Sequence, residues 1–217
     1  VDTVAVVVSP PSAGYSDSYN PGYSAFRTTR ASRPLMVYIG ANDGMLHGIN
    51  GSLSGSDAGK EVFAYIPSGV ITGPGAANTA STWGLASRGN PDFNHKYLVN
   101  ATPTYMDVDF GKTVGGNGTD WRTILVGGLG KGGRSYYALD ISDPSGFNNE
   151  TNAAAKVLWE FTDADMGYSF AKPAIFKTRQ HGWVVLLTSG YNSSTGVGYF
   201  YLLNARTLMA MAEAVQG

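Results

Sequence analysis

The chain has 217 residues, and its 29 Gly, 12% aromatic residues and 14% charged residues favour a globular protein rich in strands and turns. Its 15 Lys and Arg nearly balance its 16 Asp and Glu without any basic block, which argues against nucleic acid as a partner. The absence of cysteine excludes disulfides, zinc–thiolate sites and thiol catalysis within these residues.

No stretch approaches about 18 consecutive apolar residues, so we expect no membrane span. The chain begins at Val1 without a signal peptide, and we expect it to be part of a longer protein.

One order of strands occurs three times along the chain. A short apolar strand with a nearby proline opens each unit, at 6–14, 101–110 and 171–177. An aliphatic run that ends in glycine follows, at 34–40, 121–128 and 182–190. A Gly-rich turn then leads to a third strand, which ends at Asn50, Asp140 or Asn204. A fourth strand follows in two of the units, at 61–67 and 156–162.

Repeated four-stranded antiparallel units predict an all-β fold, a quinoprotein-like β-propeller with about three blades present, and a two-sheet sandwich is the alternative. The whole chain, 1–217, is then one partial propeller domain, with blades at about 4–67, 97–162 and 170–217 and a long loop insertion at 68–96. We expect the third blade to be truncated, since the Ala, Met, Leu and Glu residues near its end favour a helix.

Packing between blades explains two further features of the repeats. Burial of both sheet faces accounts for second strands that are almost continuously apolar, such as 184–187. Aromatic residues at matching positions of the fourth strands are expected to wedge between blades, namely Phe63 and Tyr65 in the first unit and Trp159 and Phe161 in the second.

The stretch "ANDG" at 41–44 combines side-chain oxygens with a glycine, which raises the question of a calcium loop. Only Asn42 and Asp43 supply oxygens there, so a hairpin turn is the preferred interpretation. His47 follows on a strand, without a second His or an acidic residue at ligand spacing, and is interpreted as a packed or hydrogen-bonding residue.

The run "GGLGKGGRS" at 127–135 is superficially similar to a phosphate-binding loop. It leads into a strand, whereas Walker and dinucleotide loops open a helix, so we interpret it as the hairpin of the second blade. The pairs Asp107 with Asp109 and Asp163 with Asp165 are interpreted as polar positions that face solvent. No catalytic signature is present, and we expect no catalytic, cofactor-binding or metal-binding residue in this chain and no enzymatic activity.

The order of motifs, above all "VYIGANDGMLHGIN" (37–50) and "WRTILVGGLGKGGRSYYALD" (121–140), resembles the C-terminal propeller of the PilC/PilY family of type IV pilus biogenesis factors and adhesins. The resemblance covers about 10–205. It implies a protein exported through the periplasm to the pilus tip or outer-membrane surface. There it would support pilus assembly against retraction, bind minor pilins and, in some members, attach to host cells or abiotic surfaces.

The chain lacks two features of that family. We find neither the family's calcium-binding loop nor its von Willebrand factor A-like region, so no calcium ligand is transferred to this chain and no cofactor is expected in it. Two other functions stay open: a quinone-cofactor dehydrogenase, which shares strands similar to "YALD", and an outer-membrane assembly scaffold.

Recognition through loops is the mechanism that we expect. A propeller provides a rigid support for variable insertions, here mainly 68–96 and 111–120. Four loop aromatics are candidate interface residues, because aromatic residues often anchor interfaces: Tyr15, Tyr19, Tyr23 and Trp83. They are equally suited to covering blades beyond this chain.

Overall fold

The structure is a computed structural model that describes residues 3–74, 83–112 and 118–208, together with the backbone of 210–213. The middle parts of both predicted insertions, 75–82 and 113–117, lie outside the described residues. Three four-stranded antiparallel sheets form in chain order, which confirms the all-β prediction and its repeat unit.

In each sheet the four strands are neighbours in the order in which the chain reaches them. Blade 1 contains β1 (Val6–Val8), β2 (Met36–Gly40), β3 (Leu46–Asn50) and β4 (Glu61–Tyr65). Blade 2 contains β5 (Thr104–Asp109), β6 (Trp121–Gly128), β7 (Tyr136–Asp140) and β8 (Val157–Phe161). Blade 3 contains β9 (Ala174–Thr178), β10 (Gly182–Thr188), β11 (Phe200–Asn204) and β12 (Ala210–Glu213).

Short helices lie in the connections between these strands. The α-helices are α1 (Tyr23–Thr29), α2 (Gly69–Thr72) and α3 (Glu150–Ala154). Single turns of 3₁₀ helix occur at Leu85–Ser87, Gly130–Gly132 and Pro144–Phe147.

The last strand corrects our prediction for the third blade. Residues Ala210–Glu213 form β12 and pair with β11, with Glu213 opposite Tyr201. The expectation of a truncated blade with a helical end is therefore wrong. A weak helical preference is overcome because the free edge of β11 offers backbone groups that a fourth strand can pair with.

The three blades pack face to face, and blade 2 lies in the middle. Its residues alternate between two cores: Leu125 packs towards blade 1, whereas Ile124 and Val126 pack towards blade 3. All three are 0% exposed. The first strands β5 and β9 also lie against each other, as strands close to a propeller axis should. Burial of both faces thus explains the continuous apolar runs of the second strands.

Aromatic residues of β4 fill the junction between blades 1 and 2, as predicted. Phe63 stacks on Phe147, with ring centroids 3.7 Å apart and an angle of 7° between the planes. Tyr65 packs against Tyr137 of β7 at 5.4 Å and donates a hydrogen bond to Glu160 of β8. The first unit is therefore joined to the second by both apolar and polar contacts.

The junction between blades 2 and 3 repeats this arrangement. Phe161 of β8 packs edge-on against Tyr201 of β11, with a centroid distance of 5.0 Å. Trp159 is 5% exposed, and its indole Nε1 donates to the carbonyl oxygen of Ala205 at 3.4 Å. The predicted wedging of fourth-strand aromatics between blades is confirmed at both junctions.

Two adjacent residues of β11 allow a test of this junction. Tyr201 is 6% exposed and faces blade 2, whereas Phe200 is 51% exposed on the opposite face. We expect Tyr201→Ala to lower the free energy of unfolding by about 3 kcal/mol, because it leaves a cavity against Phe161. Phe200→Ala, the matched control, should cost less than about 1 kcal/mol. Equal shifts of the two urea midpoints would contradict this packing.

Candidate interaction surface

Three of the four predicted interface aromatics lie in one segment, residues 9–33, which we call the strap. It connects β1 to β2 within blade 1, includes α1, and extends beneath the other two blades. Side chains of the strap join the core between blades 2 and 3, where Tyr23 and Tyr15 pack with Trp121 and Trp183. The connection is therefore part of the interior of the domain as well as of its surface.

Tyr23 is not available to a partner, which corrects the prediction for this residue. Its side chain is 0% exposed, and its hydroxyl donates to Asp107 Oδ2 at 2.6 Å while accepting from the backbone N–H of Ala13 at 2.9 Å. The ring lies 4.8 Å from that of Trp121. Burial, together with the Asp107 bond, raises the pKa of Tyr23 far above its ordinary value. Tyr23 anchors the strap to blade 2.

Asp107 and Asp109 also differ from expectation, because both are buried, at 8% and 3% exposure. Thr123 donates to Asp107 Oδ1 at 2.6 Å and accepts from Arg33 Nη1 at 2.6 Å. Asp109 Oδ1 accepts the backbone N–H groups of Gly111 at 2.9 Å and of Asp120 at 2.7 Å. The interpretation of this pair as facing solvent is wrong. Strand alternation places the two on one face, where Tyr23 of the strap donates to Asp107 and the backbone N–H groups of Gly111 and Asp120 donate to Asp109.

Tyr15 and Tyr19 have different environments within the strap. The Tyr15 ring is half-buried and lies 4.9 Å from that of Tyr23 and 5.7 Å from that of Trp183. Tyr19 is 81% exposed, and its backbone is engaged: the N–H donates to the carbonyl oxygen of Ser16 at 3.1 Å, and the carbonyl accepts from Lys177 Nζ at 2.7 Å. Of these tyrosines, Tyr19 presents its ring most openly to a partner.

Trp83 lies outside the strap, in the connection from blade 1 to blade 2. It is half-buried and directly follows the part of the insertion that is not described. Its role as an interface residue stays a prediction.

The "ANDG" stretch forms the expected hairpin turn. The N–H of Ala41 donates to the carbonyl oxygen of Met45 at 3.0 Å, and Gly44 has a φ of 102°, which favours glycine. Asp43 Oδ1 accepts the N–H of Met45 at 3.0 Å, as an Asx turn requires. The turn is therefore explained without a metal ion.

His47 has acidic neighbours that we did not expect. Its Nε2 lies 2.9 Å from Asp43 Oδ2, and its Nδ1 lies 2.5 Å from Glu61 Oε2 of β4. The interpretation of His47 as a hydrogen-bonding residue is confirmed, but the absence of an acidic residue at ligand spacing is wrong, since the turn folds Asp43 back and the neighbouring strand supplies Glu61. The carboxylates lie on opposite sides of the ring, where they favour a doubly protonated imidazole.

The glycine run 127–133 forms the predicted hairpin and leads into β7. A Cβ added at Gly132 would lie 1.7 Å from the carbonyl oxygen of Leu98, and one at Gly128 would lie 2.5 Å from that of Ser169. The glycines therefore let the segments that enter blades 2 and 3 pass close to the hairpin.

An exposed aromatic groove on blade 3 was missed by the sequence analysis. It measures about 550 Å³, and its lining includes Phe170, Tyr191 and Phe200. Phe200 occupies the register position of Leu46 and Tyr136, which are both 0% exposed in their blades. The signal that could have identified this groove is the alignment of Phe200 with these two core residues of the other blades.

The described residues contain no group of three or more His, Cys, Asp or Glu side chains placed to hold a metal ion. Within the same ranges, no helix is long and apolar enough to cross a membrane.

The His47 cluster predicts a pH dependence of stability. Burial lowers the pKa of His47, but the hydrogen bonds that its imidazole donates to Glu61 and Asp43 outweigh burial, so the pKa is raised overall. A group whose pKa is raised in the folded state stabilises the fold fully when the pH is below its pKa in the unfolded state. This contribution is lost as the pH rises through the folded-state pKa. We expect stability to fall from about pH 6.5 upward. The His47→Gln variant should lose that slope in urea titrations, and an unchanged slope would contradict the assignment.

The family model described as the PilY1 beta-propeller domain matches residues 13–201. A type IV pilus biogenesis factor PilY1 homolog of Xylella fastidiosa is 35% identical over 212 residues, covering 94% of this chain and 12% of that protein. The type IV pilus biogenesis factor PilY1 of Pseudomonas aeruginosa strain UCBPP-PA14 is 34% identical over 187 residues, covering 85% of this chain and 14% of that protein.

A solved structure is similar to this chain over nearly the whole length of the chain. The crystal structure of the Pseudomonas aeruginosa PilY1 C-terminal domain matches with a TM-score of 0.67 and 29% identity, covering 97% of this chain and 36% of that one. The chain therefore spans a small part of its relatives. Because the family model matches most of the chain and the three sheets have the propeller arrangement, the chain belongs to the PilY1 β-propeller domain family.

Proposed function

We propose that this chain is a propeller region of a type IV pilus biogenesis factor and that it acts by binding rather than by catalysis. The observation that carries the proposal is the match of residues 13–201 to the PilY1 propeller family, in which the similar relatives are named as biogenesis factors. Those names favour this function over a quinone-cofactor dehydrogenase or an outer-membrane assembly scaffold.

The binding partners that we propose are minor pilins of the pilus tip and a host or abiotic surface. Such partners place the protein outside the cell, at the pilus tip or the outer-membrane surface, after export through the periplasm. The stacked blades support this role physically, since packed sheets hold the loops in fixed positions. Tyr19, with 81% of its surface exposed, is the strap residue best suited to contact a partner.

A genetic experiment in a piliated host tests both levels of the proposal. Deletion of the coding region for residues 1–217 should reduce surface piliation, twitching and attachment, and unchanged values for all three would refute the proposed function. In the same host, Tyr19→Ser should lower attachment while the protein stays folded and exported. Tyr191→Ser is the matched control, because Tyr191 is 72% exposed but lies on blade 3. If the two variants attached equally well, Tyr19 would not be an interface residue.

We also propose that this region functions without calcium of its own. The "ANDG" turn is closed by its own hydrogen bonds, with Asp43 oxygens engaged by Met45 and His47. Thermal unfolding of the chain should therefore give the same Tm in the presence of a calcium chelator and of added calcium. A rise in Tm with calcium would show a site and contradict this part of the proposal.

A further inference from the structure

The strap makes contacts that the order of the blades does not require. In repeat architectures each unit contacts its immediate neighbours, so blades 1 and 3 should be coupled only through blade 2. The strap belongs to blade 1, yet Lys177 of β9 donates to the carbonyl oxygen of Tyr19 at 2.7 Å and to Asn20 Oδ1 at 2.9 Å. These contacts join residues separated by 157 and 158 positions in the chain.

An aromatic contact reinforces this link to blade 3. The Tyr15 ring lies 5.7 Å from that of Trp183, which is 5% exposed at the start of β10. The Trp183 ring in turn lies 6.1 Å from that of Trp121 at the start of β6. The strap therefore contributes to the apolar core between two blades to which it does not belong.

The strap is also attached to blade 2 by several contacts, one of them to a buried carboxylate. Trp121 Nε1 donates to the carbonyl oxygen of Pro21 at 2.9 Å, and Tyr23 donates to the buried Asp107. Arg30 forms an ion pair with Asp143 at 2.8 Å. A buried carboxylate that loses a donor is costly, so this attachment resists release. With its middle held on blade 2, the strap keeps Tyr15, Tyr19 and Asn20 in reach of blade 3.

We propose that the strap is a clasp that couples blade 3 directly to blade 1, so that blade 3 does not open by itself. Neighbour packing alone permits one blade to separate while the others stay folded. With the clasp closed, separation of blade 3 also requires the Lys177 bonds and the Tyr15–Trp183 contact to break. For a protein of the proposed pilus function, the clasp opposes stepwise opening, although the coupling itself is independent of that function.

Hydrogen exchange of the isolated 217-residue chain tests the clasp. In the wild type, slow amides of β2, β6 and β10 should report one common opening with the same denaturant dependence. In a Tyr15→Ala/Lys177→Met double variant, amides of β10 and β11 should exchange at least about tenfold faster, while those of β2 and β6 change little.

The control variant Lys172→Met/Tyr191→Ala removes the same two residue types from exposed positions of blade 3 and should behave as the wild type. Should the double variant fail to fold, Asn20→Ala removes one acceptor of Lys177 and should shift β10 in the same direction. The clasp would be refuted if blade 3 already opened independently in the wild type. It would also be refuted if blade 3 stayed coupled to the other blades in the variants. Either outcome would leave the attachment experiment in the piliated host unaffected.

Discussion

The packing of one sheet face against the next is the constraint on which the rest of this structure depends. A single sheet leaves its apolar faces in contact with water unless another element covers them, and burial supplies the main favourable free energy of folding. Blade 2 satisfies this requirement on both faces, with Leu125 and Val126 both 0% exposed. Phe63 and Phe161 then fill the space between neighbouring sheets, at equivalent junctions.

The strap shows how polar groups are accommodated within this packed arrangement. Asp107 is buried, but it accepts hydrogen bonds from Tyr23 and Thr123, and Arg33 donates to the same threonine. A buried carboxylate is tolerated only when donors replace its lost hydration. The network also ties the connection between β1 and β2 to blade 2, so that a segment with three candidate interface tyrosines has a structural role. Tyr19 remains the part of it that is open to a partner.

Local sequence patterns were sufficient for the hairpins and for the aromatic wedges, because glycine turns and strand alternation act over a few residues. They were insufficient for Asp107, whose alternation with Asp109 identified a shared face but not what covers it. Its donor Tyr23 lies 84 positions earlier in the chain. The acidic partner Glu61 of His47 was missed for a similar reason, since the register of β3 and β4 determines that contact.

By itself, the sequence determined the repeat of strands, the turns between them and the family to which the chain belongs, since these depend on local spacing and on motifs. Only the tertiary structure decided which of the strap tyrosines is exposed, that both aspartates of β5 are buried, and that β12 completes blade 3. Those outcomes depend on contacts between residues far apart in the chain. Such contacts form only when the blades pack, and the sequence pattern within one unit does not predict them.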